Sequence, residues 1–386
     1  MPTLSLDNAR VILPDRELHG AQIVIENGWI ARVSRDYVPS DQSVDLAGDI
    51  IFPGFIDAHI HGSAGIDVNS ANAEALIEVS KFLASQGVTS WLPTLVPAAD
   101  EEYQSAVTAI EQASRATTTG ARIAGLHYEG PFVNLAQCGA LHKEHFKTYS
   151  GPADLDRFPI LKNPEAAKMI TVAPEINGGI GLINELKRRG WVVSIGHTRA
   201  DEQVLNEAFT AGARHMTHFM NAMPQMHHRQ PGPVSWGLLR DDVTCDVIAD
   251  GIHLHPLTLR VLMKAKGSGC LSLISDAIAA AGKGDGDYQI WGETISVKNG
   301  RTSNASGSIA GSVITMLDAV RMMRSIGVSN VEVAQMASTN PARLVRMDQE
   351  CGSIEEGKRA DLVALDETGN VRLTLVGGEV VFQSKD

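Results

Sequence analysis

Between Ile51 and Ser325 the chain alternates strand signals with helix signals, and this repetition constrains its fold more than any other feature. Short apolar, strand-like runs begin near residues 51, 88, 122, 169, 191, 214, 244 and 271. Helical patterns separate many of them, at Asn72–Ser85, Asp100–Ser114, Gly178–Arg189, Ala200–Ala211, Val234–Arg240 and Pro256–Lys266. The run Asp100-Glu101-Glu102 places acidic groups in a first helical turn, where the helix dipole favours them. The last helix, Ser312–Ser325, follows its strand only after a long insertion. Eight such strands, all but one followed by a helical pattern, make a (β/α)8 TIM-like barrel the economical closure. A doubly wound open sheet is the alternative. No Gly-x-Gly-x-x-Gly follows an early strand, which argues against a dinucleotide-binding version of it.

The two ends of the chain read differently. Ala21–Glu26, the turn Asn27-Gly28 and Trp29–Val33 form a hairpin pattern, since Asn-Gly between β-prone runs is the strongest short hairpin signal. Ala360–Asp366 reads as a strand, and Val371–Val376, Gly377-Gly378 and Glu379–Phe382 as a second hairpin. Neither end is long enough to fold alone. The expectation is an α/β protein in which residues 1–52 and 353–386 form one small β-sandwich domain beside a barrel of residues 53–352.

Composition removes several function classes. The formal net charge is −12, whereas general binding of a nucleic-acid backbone needs clustered cations. Cys138, Cys245, Cys270 and Cys351 are scattered without metal-type or disulfide spacing. The first seven residues lack the charged and apolar segments of a secretory leader, and no apolar run approaches the roughly 20 residues of a membrane span. The expected location is the cytoplasm, with no membrane or nucleic-acid partner.

Polar residues cluster where the apolar runs end. His59 and His61 close the first, Glu129 the third, His197 the fifth, His218 the sixth and Asp276 the eighth. In a barrel the C-terminal strand ends converge on one mouth. His59 and His61 are two apart, so both leave the same face of their strand. A single histidine is ordinarily a packed or surface residue. Histidines and carboxylates recurring at one end of successive strands are a ligand set suited to zinc or ferrous iron, and so to a metal-dependent hydrolase.

Six stretches carry a resemblance. They are Pro53–Gly62, with Asp57-Ala58-His59-Ile60-His61 inside it; Leu126–Phe132, with His127-Tyr128-Glu129-Gly130-Pro131; His218–Met223; Ala249–His253; and the closing pair Asn340-Pro341-Ala342 and Gly357–Leu362. In this order they resemble the amidohydrolase superfamily, and more closely its N-acetylglucosamine-6-phosphate deacetylases, over nearly the whole chain. The resemblance implies hydrolysis of the acetamide of N-acetyl-D-glucosamine 6-phosphate to glucosamine 6-phosphate and acetate. It implies that Glu129, His197 and His218 hold one divalent metal, zinc or ferrous iron. His59 and His61 match a second site that some members of the family have and others lack. Asp276 is implied as general base and then acid, and His253 as a contact to the sugar phosphate and the amide oxygen. Asn221, Ala222, Ala140 and the loop Ile309-Ala310-Gly311 are implied to line the sugar. Arg229 matches the family's phosphate-binding arginine, donated across a homodimer interface.

One stretch departs from the family pattern. Members often carry Lys-Gly-Ala-His or a near variant after Glu-Gly-Pro, and that histidine contacts a sugar hydroxyl. This chain reads Cys138-Gly139-Ala140-Leu141-His142, which puts Leu141 in the usual histidine place and His142 one step late. Either the loop bulges and His142 reaches the sugar, or sugar recognition differs. The galactosamine epimer, or another N-acyl amino sugar, is therefore the alternative substrate. A metal-free binding paralogue is a third reading, against which the intact ligands and Asp276 stand.

Overall fold

A computed structural model of the chain describes residues 3–116 and 120–385. Met1, Pro2 and Asp386, at the outer bounds of the expected terminal domain, lie outside the described residues.

Eight parallel strands stand in chain order: Phe55–Ile60, Val88–Leu95, Arg122–Glu129 (interrupted at Ala124), Ala167–Val172, Val192–Ile195, His215–Met216, Thr244–Ile248 and Leu271–Ile274. Each pairs with the next in parallel register. The eighth returns to the first, where the Asp276 N–H donates to the His59 carbonyl at 2.9 Å. Asp57 fastens the same seam, accepting from Ser275 Oγ at 2.5 Å and from the Ser275 N–H at 3.2 Å. The sheet is thus the expected barrel and not the open, doubly wound alternative.

Helices cover the outside. Ala73–Ser85, capped by Asn72, turns Leu76, Val79 and Leu83 inward at the 3–4-residue spacing of an amphipathic helix. After the third strand the chain departs from the strand-then-helix repeat. It makes three short 3-10 turns, Leu135–Gln137, Lys143–His145 and Pro152–Leu155, and the last of them lies against the C-terminal end of helix Gly179–Arg188, where Arg189 donates to the Pro152 carbonyl at 2.9 Å. The insertion after the eighth strand is a small three-stranded sheet, Gly286–Ile290, Glu293–Lys298 and Arg301–Ser303.

The terminal strands form one hydrogen-bonded sheet of eight. Its order runs Glu379–Gln383, Val371–Val376, Leu362–Leu365, Ile50–Pro53, Leu4–Ile12, Glu17–Glu26 and Trp29–Ser34, with Gln42–Asp45 also on Leu4–Ile12. The sheet branches because Leu4–Ile12 changes partner along its length. Leu4–Asp7 pairs with Gln42–Asp45, and Arg10 and Val11 pair with Ile50 and Ile51. The switch falls at Asn8, whose φ of 55° bends the strand. Alternation then divides the side chains. Ile51, Leu362, Ala364 and Leu373 pack into the sheet's own core, while Ile50, Phe52, Val363 and Leu365 join the barrel core.

The run expected as one strand from Ile51 to His59 is two strands in two sheets, Ile50–Pro53 and Phe55–Ile60. Gly54 makes the crossing. A Cβ there would stand 2.2 Å from Thr89 Cγ2, so only a bare backbone passes. Thr89 is buried and has no room to move aside. Gly54→Ala is therefore expected to lower the unfolding free energy by about 1–3 kcal/mol, the usual cost of overpacking, read from chemical denaturation.

Candidate metal centre and active site

The ligand atoms expected from the strand ends meet in one small volume. Glu129 Oε1 lies 2.9 Å from His197 Nε2 and 2.9 Å from His218 Nε2. Glu129 Oε2 lies 3.3 Å from His61 Nε2, and Asp276 Oδ1 lies 3.3 Å from His59 Nε2 and 3.2 Å from His61 Nε2. Two overlapping three-ligand groups result, His59–His61–Glu129 and Glu129–His197–His218, with Glu129 common to both.

Backbone conformation aims these side chains. Among the described residues twelve non-glycine positions have positive φ, and His197, His218, Met220, Ala222 and Asp276 are five of them. Strain of this kind persists only where the surroundings hold it, and here it gathers at the strand ends that form the site. Ring orientation is fixed from behind. His197 Nδ1 donates to the Gln137 carbonyl at 2.7 Å and His61 Nδ1 to the Thr94 carbonyl at 3.2 Å, which leaves each Nε2 lone pair facing the centre. Below them a polar ladder runs through the barrel interior. His127 Nε2 meets Thr171 Oγ1 at 2.9 Å, and Thr171 meets Thr217 at 2.7 Å. The His59 ring rests edge-on against His127.

This donor set fits a divalent cation. Nε2 atoms approach one another at 3.1 Å in both pairs, His59–His61 and His197–His218, which aims lone pairs together unless a cation sits between them. The electrostatics agree. Burial opposes the charge of Glu129, but His59 and the hydrogen bonds of His197 and His218 hold its carboxyl well below the usual range. Burial likewise opposes a proton on His61, but Asp276 and Glu129 raise that imidazole to about 10. The centre thus favours positive charge, which a metal supplies.

The centre opens into a cavity of about 380 Å³. Ala140, Asn221, Ala222, His253, Ile309 and Gly311 all line it, as expected. Ala310 does not: it is fully buried, and its N–H is taken by Thr302 Oγ1. His142 does not line it either. The Leu141 N–H donates to the Cys138 carbonyl at 2.9 Å, closing a turn that sends Leu141 into the cavity wall against Val96 and Val133. His142 then faces a neighbouring cavity, with Nδ1 3.3 Å from Glu144. The bulge that was to bring His142 to the sugar is absent. Arg229 is exposed and outside the cavity of its own chain.

Several residues at the site went unmarked in the sequence. Asp250 Oδ2 accepts from His253 Nδ1 at 2.6 Å, while its Oδ1 takes the backbone N–H groups of Ile252 and His253. An aspartate opening a turn three residues before a histidine was the available signal. Glu175 holds the rim together, accepting from Thr198 Oγ1 at 2.6 Å and from Asn134 Nδ2 at 2.8 Å. Gln137, Trp291 and Ser308 line the cavity from stretches with no motif of their own.

A barrel with paired histidines, a bridging carboxylate and an eighth-strand aspartate defines the amidohydrolase class, and the amidohydrolase family pattern matches residues 50–381. The N-acetylglucosamine-6-phosphate deacetylase of Bacillus subtilis (strain 168) is 34% identical over 100% of this chain and 98% of its own. An N-acetylgalactosamine-6-phosphate deacetylase of Escherichia coli O157:H7 is 33% identical over 94% and 98%. The crystal structure of the N-acetylglucosamine-6-phosphate deacetylase of Thermotoga maritima superposes with a TM-score of 0.88 at 33% identity, covering 98% of this chain and 100% of that one. The chain belongs to the amidohydrolase family and, within it, to the N-acetylglucosamine-6-phosphate deacetylases.

Proposed function

We propose that this protein hydrolyses the acetamide of N-acetyl-D-glucosamine 6-phosphate, giving D-glucosamine 6-phosphate and acetate. The observation that carries the reading is the Glu129–His197–His218 group facing Asp276 in one cavity, in a chain whose full-length relatives bear that activity's name. A structural relative from Mycobacterium smegmatis, 29% identical with a TM-score of 0.88 over 98% of both chains, was crystallised with N-acetyl-D-glucosamine-6-phosphate.

In this reading Glu129, His197 and His218 hold one divalent metal, and His59 and His61 with Glu129 are placed for a second. Zinc and ferrous iron suit such nitrogen and oxygen ligands. A bound metal supplies Lewis acidity and brings the pKa of water toward ~7. Asp276 accepts a proton from the attacking water, a C–O bond forms at the carbonyl carbon, the C–N bond breaks, and Asp276 returns the proton to the leaving amine. Its state suits the first step: burial pushes the carboxyl up, but His59 and His61 hold it below the ordinary value, so it begins ionised. Asp250 fixes the His253 ring through Nδ1, leaving Nε2 for the phosphate or the amide oxygen. Asn221, Ala222, Ala140, Ile309 and Gly311 surround the sugar.

Residues 1–52 with 353–386 act as a supporting domain for the barrel of residues 53–352. The phosphorylated substrate and the free state of all four cysteines suit the cytoplasm. Among the described residues no helix is long and apolar enough to cross a membrane.

Turnover of a panel of N-acetylhexosamines, with and without 6-phosphate, tests the reading. Metal-loaded protein that turns over no phosphorylated member ends it. The galacto epimer is the second reading, favoured by Leu141 in the place of the usual sugar-contacting histidine and by the relative named an N-acetylgalactosamine-6-phosphate deacetylase. The ratio of turnover between the two epimers decides.

A homodimer completes the site in this proposal. Arg229 lies on an exposed loop beside Met226, which is 65% exposed, and it serves the partner's phosphate rather than its own chain's. Arg229→Ala is expected to raise KM for the phosphorylated sugar far more than for the unphosphorylated one, because a guanidinium pairs bidentately with phosphate. Heterodimers of Arg229→Ala and Asp276→Asn chains are expected to regain activity. Verified heterodimers without it place Arg229 elsewhere.

A further inference from the structure

The catalytic cavity has a neighbour of about 600 Å³, lined among others by Asn69, Val96, Ala98, His142, His145 and Ile290. Among the described residues one side chain lines both cavities, that of Trp291. It sits at the tip of the hairpin Gly286–Ile290 and Glu293–Lys298, in a two-residue turn with Gly292. Both turn residues have positive φ, 54° at Trp291 and 76° at Gly292. A turn of this kind favours Asn or Gly at its first position, so a tryptophan there is held against a backbone preference. The indole stands edge-on to the His61 ring, with centroids 5.4 Å apart and planes at 89°. It also packs on the cluster of Val96, Val133 and Leu141. Its buried Nε1 is directed toward the Asp67 carboxylate, so packing and that polar neighbour together set its position.

The rest of the catalytic cavity is polar or backbone-lined on the side of His253, Asn221 and Ser308, while Leu141 and Trp291 form an apolar corner beside His61. An N-acyl amino sugar phosphate has one apolar end, the acyl tail. With the carbonyl carbon between Asp276 and the ligand group, and the sugar toward His253, the tail is left facing that corner.

We propose that Trp291 sets the length of the acyl group this enzyme accepts, by walling the acetyl methyl off from the neighbouring cavity. The proposal rests on the deacetylase reading, and wild-type turnover of the N-acetyl substrate checks that reading separately. Trp291→Ala joins the two spaces. The experiment compares kcat/KM for the N-acetyl, N-propionyl and N-butyryl forms of the 6-phosphate sugar in wild type, Trp291→Ala and Trp291→Leu, with metal content measured beside them. One methylene in an apolar pocket is worth roughly 10–200-fold in discrimination. The butyryl-to-acetyl ratio is therefore expected to rise at least ~10-fold in Trp291→Ala and by less in Trp291→Leu, at unchanged metal content. A merely structural tryptophan lowers all three substrates in proportion. A ratio within twofold of wild type overturns the proposal, and Trp291→Leu, which keeps an apolar side chain, carries the test if the alanine variant does not fold.

Discussion

Glu129→Gln is expected to purify nearly free of metal and without turnover. Glu129 Oε1 stands 2.9 Å from two imidazole nitrogens, and the carboxylate is common to both three-ligand groups, so one substitution weakens both. The amide keeps the shape but loses the charge that balances the cation, and it is the poorer donor. Residues that merely orient metal ligands are worth about 10–100-fold in affinity, so loss of a direct ligand costs more than that. Elemental analysis beside a turnover assay reads the effect. Full metal and full activity in this variant sinks the assignment of the centre.

Asp276→Asn separates chemistry from metal binding. Asp276 touches His59 and His61 at 3.3 and 3.2 Å but belongs to neither three-ligand group. Its backbone N–H, which closes the barrel on the His59 carbonyl, survives the substitution. The variant is therefore expected to fold and to keep its metal while turnover falls roughly 10²–10⁴-fold, the range for a lost general base. Activity within threefold of wild type means that another group moves the proton.

What the sequence disclosed and what it withheld follow a physical division. The eight strands were readable because each is an apolar run of a few residues bounded by loop signals; the second begins at Val88 as expected, and the helix Pro256–Lys266 falls at its expected bounds. The ligands were readable because a barrel brings strand ends together whatever the loops do. The division at Gly54 was not, since it depends on the approach of Thr89, 35 residues along the chain. The orientation of Leu141 and His142 was not, because one loop hydrogen bond from Leu141 to Cys138 decides which side chain enters the cavity. Trp291 was hidden for a stronger reason: it enters the site from the tip of an insertion hairpin, and nothing in its local sequence records where that tip lands.

The shared sheet ties the assembly of this molecule to the order in which it is made. Ile50–Pro53 lies between Leu4–Ile12 and Leu362–Leu365, so one of its edges is completed only by a strand synthesised much later. During translation that edge stays open for about 300 further residues, or roughly 15–60 s at ordinary rates. Open strand edges invite the wrong partner. Phe52, at 0% exposure in the finished fold, is among the groups left uncovered meanwhile. Leu362–Leu365 thus closes a sheet begun at Leu4–Ile12 and Ile50–Pro53, and a truncation that removes it reaches back to the residues that lead into His59.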